Sequence, residues 1–361
     1  MTGKMVLIAM SGGVDSSVAA YLMKKQGFDC MGVTMKLFHN EDVVSGCREK
    51  TCCSLDDVED ARSVARRLGI PYYVFNFTAD FRQQVMEGFV RQYEMGATPN
   101  PCIDCNRYLK FDRLYQRARE LDCDFVVTGH YARIEERDGR FLLKKAVDAT
   151  KDQSYVLYSM TQEQLAHTKF PLGELSKEQV RHIAQVQNFL NADKPDSQDI
   201  CFVPDGDYVA FMESYTGKSY PAGDFVDREG RFLGKHRGAV RYTIGQRRGL
   251  GLSSTEPLYV CAKDMEANTV TVAPETALYH REVYAEQMNW IAMPAPKEAL
   301  RVTAKIRYRQ KEQAATAYPE GENRLRLVFD EPQRAAAVGQ AVVLYDKDIV
   351  VGGGNIVETG K

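Results

Sequence analysis

The chain has 361 residues, 44% of them hydrophobic and 27% charged, and its formal net charge is −2 at pH 7. This is the composition of a soluble globular protein, and no apolar stretch approaches the roughly 18 residues of a membrane span. Nine cysteines in so long a chain favour reduced thiols over the disulfide framework of a small secreted protein. The start of the sequence does not resemble a signal peptide, so we expect a cytoplasmic protein.

Strand-like and helix-like segments alternate along the chain as far as residue 205. The predicted strands cover residues 6–10, 30–37, 70–77 and 125–128. Predicted helices follow the glycine turn at 11–13 and the Ser54 cap, and cover residues 79–95 and 108–121. Such alternation implies crossover connections and a doubly wound, parallel α/β sheet that binds ligands outside the carboxyl ends of its strands. We predict one α/β domain over residues 1–205.

The composition changes near residue 205, where short segments rich in Val, Tyr, Thr and Arg begin. They predict a small β-rich central domain over residues 206–285. Pro294 and Pro296 mark a turn into the last segment, where residues 301–308, 324–329 and 341–345 are predicted strands of a C-terminal β-barrel over 286–361. Three domains agree with the tendency of chains beyond roughly 250–300 residues to divide.

The turn after the first strand has the sequence Ser-Gly-Gly-Val-Asp-Ser, at residues 11–16. Glycines let successive backbone N–H groups converge on an anion, and the following helix adds the positive end of its dipole. The turn lacks the lysine of the Walker pattern, which disfavours an ordinary nucleotidase that cleaves the γ-phosphate. The alternative is a plain strand-to-helix turn that uses Gly12 and Gly13 for steric reasons.

This turn resembles the S-G-G-x-D-S signature of the PP-loop ATP pyrophosphatases, whose fold is the adenine nucleotide alpha hydrolase-like α/β sheet. The resemblance implies that ATP and Mg²⁺ are used to transfer AMP to a substrate oxygen, with Asp15 close to the metal. The ATP-binding residues that it implies are Ala9, Met10, Ser11, Gly12, Gly13, Val14, Asp15, Ser16, Met35 and Gly129.

Two further motifs contain cysteines. In residues 98–106, Pro99 and Pro101 predict that Cys102 and Cys105 lie in an ordered loop before a helix, where the pKa of a thiol is lowered. Cys201 follows a polar stretch at 196–200. A structural zinc site at 102–105 is the alternative, but the second C-x-x-C pair of a zinc ribbon is absent from the sequence. Other cysteines, at 30, 123 and 261, are predicted to be buried apolar side chains, and those at 47, 52 and 53 have no assigned role.

Together with the turn, N-P-x-x-x-C-N and D-S-x-x-I-C-F make the sequence similar to the bacterial tRNA-specific 2-thiouridylases over nearly its whole length. That resemblance implies a wobble-uridine substrate, Cys105 as the catalytic nucleophile and Cys201 as the carrier of a persulfide. A disulfide between Cys105 and Cys201 would follow sulfur transfer. A sulfur-donor protein, such as a cysteine desulfurase or a relay carrier, would load Cys201. The tRNA-binding residues that it implies are Asn100, Pro101, Cys102, His130, Lys151, Asp152, Gln153, Arg307, Tyr308 and Gln340.

One position departs from the family pattern. Many relatives have aspartate directly after Asn-Pro, and this chain has Cys102 there. Cys102 or Asp104 could take over the proton transfer, or the step needs no such group. Alternatively, Cys102, Cys105 and Cys201 could hold an iron-sulfur cluster with one open iron.

Basic residues form two clusters outside the α/β domain. One contains His236, Arg237, Arg241, Arg247 and Arg248, and the other contains Lys305, Arg307, Arg309 and Lys311, alternating on a predicted strand. They predict a surface that follows RNA phosphates, against the alternative of a solvated charged face. We also expect His130, after the strand 125–128, to contact a ligand rather than to be buried. The competing function is a PP-loop synthetase that forms amides or guanidines on a small molecule, which would leave Cys105 and Cys201 without a role.

Overall fold

The computed structural model describes residues 3–39, 55–196, 200–203 and 206–360. The chain forms two compact units. The first comprises Met1–Met86, Pro101–Gly206 and Lys347–Val351, and the second comprises Glu87–Asn100, Asp207–Asp346 and Gly352–Lys361. Within the described ranges, every helix is too short or too polar to cross a bilayer. Cys47, Cys52 and Cys53, and residues 197–199 of the second cysteine motif, lie outside the described residues.

A five-stranded parallel sheet organises the first unit. Its strands are β1 (Met5–Ala9), β2 (Asp29–Lys36), β3 (Tyr72–Asn76), β4 (Phe125–Val127) and β7 (Thr168–Lys169). They are ordered β3-β2-β1-β4-β7, and Val6 of β1 lies beside Cys30 of β2 and Phe125 of β4. The central β1 is apolar along its length because parallel strands are covered on both faces. The predicted parallel α/β sheet is confirmed. The first unit also contains a hairpin of two antiparallel strands, β5 (Ala132–Arg137) and β6 (Arg140–Lys145).

Helices connect and cover these strands. They are α1 (Val14–Lys25), α2 (Leu55–Leu68), α3 (Thr78–Phe81), α4 (Glu87–Glu94), which opens the second unit, α5 (Pro101–Asp104), α6 (Leu114–Glu120), α7 (Gln162–Ala166) and α8 (Lys177–Val186). Two π-helical segments, Arg82–Met86 and Cys105–Arg113, and a 3₁₀ turn, Ser154–Leu157, lie between them. The predicted helix 79–95 is therefore divided into α3, a π-helical segment and α4. Apolar faces of α1, α2 and α8 pack with β1 in one buried core.

The second unit contains α4, α9 (Tyr208–Thr216), a four-stranded sheet and a barrel. The sheet strands are β8 (Gly223–Val226), β9 (Phe232–His236), β10 (Tyr259–Asp264) and β11 (Thr269–Ala273). The barrel strands are β12 (Tyr279–Trp290), β13 (Leu300–Lys305), β14 (Gln313–Pro319), β15 (Arg324–Arg334), β16 (Ala341–Asp346) and β17 (Ile349–Gly360). Pairing of β12 with both β15 and β17 closes the barrel. The predicted β-rich centre and C-terminal barrel are confirmed.

The strand predicted over residues 301–308 is confirmed as far as Lys305, the first residue of the second basic cluster, and is wrong beyond that residue. β13 ends at Lys305, and Arg307, Tyr308 and Arg309 lie in the turn that follows. Alternating charge resembles a strand with one solvated face, but the same residues suit an exposed turn equally well. The expected alternation of Lys305, Arg307, Arg309 and Lys311 along one strand is therefore not formed.

Candidate nucleotide and thiol site

The glycine turn connects β1 to α1, and the Ser16 hydroxyl group forms its hydrogen bonds within the turn. Gly12 has a φ of +75°, and Gly13 precedes α1 without a side chain that caps the helix. Ser16 Oγ donates to the carbonyl oxygen of Gly13 at 3.0 Å and accepts from the backbone N–H of Ser11 at 3.2 Å. The turn therefore presents uncapped N–H groups at the positive end of a 12-residue helix, which is a favourable place for a phosphate.

Two neighbouring segments fix the turn in place. A Cβ atom on Gly12 would lie 2.3 Å from the carbonyl oxygen of Asp57 in α2, so only glycine fits there. The buried Asn191 donates from Nδ2 to the carbonyl oxygen of Gly12 at 2.8 Å and to Ser17 Oγ at 2.9 Å. Lys194 lies beside them and forms ion pairs of 2.6 Å with both Asp57 and Asp60. The glycine turn is thus held in place by α2 and by the segment that contains Asn191 and Lys194.

Asp15, in the first turn of α1, is held by two groups from distant parts of the chain. Lys177 Nζ donates to its carboxylate oxygens at 2.7 and 2.9 Å, and the Tyr131 hydroxyl donates to it at 2.8 Å. Burial, with the Asp15 charge as the next cause, raises the pKa of Tyr131 above its ordinary value, so the phenol stays a donor. The Lys177 side chain is only 11% exposed and also contacts Asp196 at 2.7 Å. Lys177 therefore fixes the Asp15 carboxylate in the first turn of α1.

The remaining predicted nucleotide residues lie on both sides of this turn. A Cβ atom on Gly129 would lie 2.8 Å from the backbone nitrogen of Ser16, so the segment after β4 touches the first turn of α1. Met35 is the next-to-last residue of β2 and pairs with Phe75 of β3. The structure thus places Gly129 against Asp15 and Ser16, and puts Met35 at the carboxyl end of a neighbouring strand.

The described residues offer few side-chain ligands for the implied metal ion. The described residues contain no group of three or more His, Cys, Asp or Glu side chains that could hold a metal ion. Mg²⁺ at nucleotide sites needs only one or two carboxylates, because substrate phosphates and waters complete its coordination. The single carboxylate of Asp15 is sufficient for this kind of Mg²⁺ binding. An iron-sulfur cluster needs several thiolates gathered at one point, and Cys102, Cys105 and Cys201 do not form such a group among the described residues.

Cys102 and Cys105 lie in a helix, and the predicted loop is wrong. Pro101 is the first residue of α5, and the helical run continues through the π-helical segment and α6. Proline is favourable at that first position because its missing N–H would have had no partner in the helix. Cys102 is exposed and Cys105 is half-buried. The buried Asn106 anchors this run by donating from Nδ2 to the carbonyl oxygen of Val156 at 3.0 Å.

Cys201 is a half-buried thiol next to the buried Phe202. The Phe202 ring meets the Phe81 ring of α3 with centroids 5.6 Å apart. The π-helical segment that begins at Cys105 also packs on α3, and its Arg113 pairs with Asp80 at 2.8 Å. Both thiols therefore belong to segments that share one neighbouring helix within the first unit.

The predicted RNA-contact residues of the first unit are held by internal contacts. Lys151 pairs with Asp196 at 2.8 Å, Asp152 accepts from Ser154 Oγ at 2.8 Å, and Gln153 accepts from the backbone N–H of Tyr131 at 2.9 Å. These contacts order the segment 151–154 between the phosphate turn and the chain that leads to Cys201.

His130 is buried, which contradicts the expectation that its position after a strand would expose it. Only 8% of the residue is accessible, and its ring packs against those of Phe111 and Phe170. Burial, with the charge of Lys110 as the second cause, holds the pKa of His130 well below its usual range. The neutral ring is in hydrogen-bond contact with Thr128 Oγ1 at 2.7 Å through Nδ1.

In the second unit, two predicted contact residues have structural partners. Arg307 donates to the carbonyl oxygens of Ala335 at 2.6 Å and Ile244 at 3.3 Å, and Gln340 donates to that of Thr98 at 2.7 Å. Tyr308 is 39% exposed, and Asn100 is half-buried.

The first basic cluster is only partly exposed. His236 is buried and Arg241 pairs with Glu213 at 3.0 Å, whereas Arg237, Arg247 and Arg248 are exposed. The expectation that all five residues contribute to one RNA-facing surface is therefore wrong for His236.

Comparisons with known proteins cover the whole chain. Three family models match: a tRNA methyl transferase HUP domain at residues 4–205, a tRNA methyl transferase PRC-barrel domain at 209–274 and an aminomethyltransferase beta-barrel domain at 280–356. The tRNA-specific 2-thiouridylase MnmA of Clostridioides difficile is 51% identical over 98% of both chains. That of Acetivibrio thermocellus is 49% identical over 99% of this chain and 100% of its own. This chain belongs to the tRNA-specific 2-thiouridylase family.

For this member of the 2-thiouridylase family, sequence reasoning missed the residues that hold the turn from a distance: Tyr131, Lys177, Asn191 and Lys194. Lys177 follows the Ser176 cap at the start of an amphipathic helix, where a lysine is unremarkable. Tyr131 directly follows Gly129 and His130, two predicted site residues, and that position was the local signal that could have pointed to it.

Proposed function

We propose that this chain is an ATP-dependent tRNA-uridine 2-sulfurtransferase, which replaces the C2 oxygen of the wobble uridine by sulfur and releases AMP and pyrophosphate. The observation that carries the proposal is the uncapped turn before α1, with Lys177 paired to Asp15 beside it. Relatives that match over their full length and are named for 2-thiouridine formation in tRNA supply the substrate class.

The first step of the proposed reaction activates the uridine. Its C2 oxygen attacks the α-phosphorus of ATP, and pyrophosphate leaves. Residues 9–16 would hold the phosphates through the backbone N–H groups of the turn and the Ser11 and Ser16 hydroxyls, with Met35 and Gly129 beside the adenosine. Lys177 would place its positive charge next to the departing pyrophosphate. Mg²⁺ held by Asp15 and the phosphates would neutralise part of the negative charge of the pyrophosphate.

The second step delivers sulfur. The terminal sulfur of a persulfide on Cys201 attacks C2, and AMP leaves with the former C2 oxygen. The Cys105 thiolate then attacks the Cys201 sulfur, which breaks the persulfide S–S bond, releases the 2-thiouridine and forms the Cys105–Cys201 disulfide. Both thiols are accessible and lie on segments that pack against α3, which supports this pairing. An external thiol would reduce the disulfide.

The tRNA would be bound through its anticodon loop. Segments 100–102 and 151–153 would contact the anticodon loop near the flipped base, and residues 307, 308 and 340 would contact the RNA from the barrel. We further propose the domain division 1–205, 206–285 and 286–361, a cytoplasmic location, and a cysteine desulfurase or relay protein as the sulfur donor.

The test is mass spectrometry of unmodified tRNA after incubation with the protein, ATP, Mg²⁺ and a persulfide source. We expect one oxygen of the wobble uridine to be replaced by sulfur, with equimolar AMP, and no replacement by Cys201→Ser. AMP release that requires ammonia or an amino acid, with unchanged tRNA, would instead support the amide-forming synthetase and contradict the proposal.

A further inference from the structure

Cys102 and Cys105 occupy the first turn of a continuous helical run that extends from Pro101 to Glu120. Residues three apart lie on the same face of a helix. Pro101, Ile103 and Asn106 are buried, whereas Cys102 is exposed and Cys105 is half-buried. The two thiols therefore share the accessible side of a helix whose other side is anchored in the core.

Their spacing suits a disulfide. Helix geometry separates the Cα atoms of residues three apart by about 5 Å. Disulfides usually join Cα atoms about 4.4–6.8 Å apart, and the C-x-x-C pairs of oxidoreductases place two thiols in this way. Bond formation between Cys102 and Cys105 would thus need only a small movement of the first turn, where helices fray most readily.

The proposed sulfur transfer uses the thiols of Cys105 and Cys201 and assigns no chemical step to the thiol of Cys102. A metal-ligand role is disfavoured because the described residues hold no group of three candidate ligands. The transfer also ends with Cys201 trapped in a disulfide, and Cys201 must be released before it can accept another sulfur. An accessible thiol three residues from Cys105 is well placed to release it.

We propose that Cys102 is the resolving thiol of this enzyme. Its thiolate attacks the Cys105 sulfur of the Cys105–Cys201 disulfide, so a Cys102–Cys105 bond forms, the Cys105–Cys201 bond breaks, and the electron pair leaves on the Cys201 thiolate. No net oxidation or reduction occurs in this exchange. A dithiol reductant then supplies two electrons and two protons to the exposed Cys102–Cys105 disulfide. The inference rests on the proposed function, because that function creates the first disulfide.

The test is one turnover followed by disulfide mapping. Cys201 is loaded by a cysteine desulfurase and free cysteine, the donor is removed, and tRNA, ATP and Mg²⁺ are added without a reductant. After thiols are blocked, unreduced protein is digested with trypsin. Cys102 and Cys105 fall in one peptide, 92–107, and Cys201 falls in another, 182–218, because Lys194 precedes a proline. A bond within the first peptide is thereby distinguished from a bond between the two.

Wild-type protein is expected to show mostly the bond within peptide 92–107, with Cys201 blocked as a thiol. Cys102→Ser, and Cys102→Asp, which restores the residue of many relatives, are expected to show the bond between the two peptides. Cys123→Ser, at a thiol whose pKa burial raises to about 11, is the control and should match wild type.

If wild-type protein shows as much of the bond between the two peptides as the Cys102 variants show, Cys102 is not the resolving thiol. The proposed function would remain intact. Thiouridine without any disulfide in the variants would overturn the disulfide step and the resolving role together. Unmodified tRNA with loaded wild-type protein would overturn the proposed function, and this inference with it.

Discussion

Lys177 donates hydrogen bonds to both carboxylate oxygens of Asp15, at 2.7 and 2.9 Å, although 162 residues separate the two in sequence. Asp196 contacts the same ammonium group at 2.7 Å and also binds Lys151. Burial by itself would raise the pKa of Asp196, but hydrogen bonds from Lys151 and Lys177 outweigh it and hold that pKa below its ordinary value. The charged network therefore joins the phosphate turn to the residue where the second cysteine motif begins.

Replacing Lys177 by Met should slow pyrophosphate release in the presence of tRNA, ATP and Mg²⁺ by about 10- to 100-fold. Hydrogen bonds to charged groups contribute roughly 1.5–3 kcal/mol, and 1.4 kcal/mol corresponds to about one factor of ten. The matched control is Lys144→Met, which removes a similarly shielded lysine that pairs with Glu135 at 2.7 Å and Asp348 at 3.2 Å. An equal loss in both variants would show that a general structural effect is responsible.

Replacing Gly12 by Ala should abolish nucleotide binding and lower the unfolding temperature. A non-glycine residue at positive φ costs roughly 1–2 kcal/mol, and here its Cβ would also overlap the Asp57 carbonyl. Gly139→Ala separates the two effects, since Gly139 has a φ of +74° and nothing within 4 Å of its added Cβ. In thermal unfolding, the Gly139→Ala control should be destabilised only by the cost of a non-glycine residue at positive φ. It should bind ATP normally. ATP binding by Gly12→Ala would contradict the assignment of the turn.

His130 should make the fold less stable in mild acid. The unfolded chain binds a proton at this residue near about pH 6.5, whereas the buried ring has a far lower pKa, so acid favours the unfolded state. Between about pH 7.5 and 5.5, wild type should therefore lose about 1.4 kcal/mol more unfolding free energy than His130→Gln. Urea titrations at the two pH values measure this, with the exposed His182→Gln as the control. Parallel losses in wild type and His130→Gln would refute the buried neutral ring.

Arg307 and Arg247 should respond differently to substitution by Ala. Arg307 donates hydrogen bonds to two backbone carbonyl oxygens, so replacing it by Ala should lower the unfolding free energy by roughly 1.5–3 kcal/mol. The exposed Arg247 should cost less than about 0.5 kcal/mol but weaken tRNA binding. If it contacts a phosphate, the slope of log affinity against log salt should fall by about 1. Filter binding at several salt concentrations measures the slope, and an unchanged slope would remove Arg247 from the RNA surface.

Local patterns in the sequence predicted much of the fold. The apolar run of β1, the glycine turn and the helix that follows are neighbours in the chain, so short-range sterics and hydrophobic periodicity were sufficient to place them. The same reasoning failed at Pro101, where a proline that would break a helix interior instead begins a helix. It also failed for the strand predicted through Arg307, because alternating charges do not distinguish an exposed strand from an exposed turn.

The sequence by itself determined the parallel α/β architecture, the anion-binding turn and the thiol-bearing motifs, because each depends on residues within a few positions of one another. Only the tertiary structure decided which distant groups complete the site: Lys177 against Asp15, Asn191 against Gly12, and the burial of His130 against two phenylalanine rings. Those contacts depend on how helices pack on the sheet. Packing is set by the shapes of many side chains at once, and no short stretch of sequence encodes it.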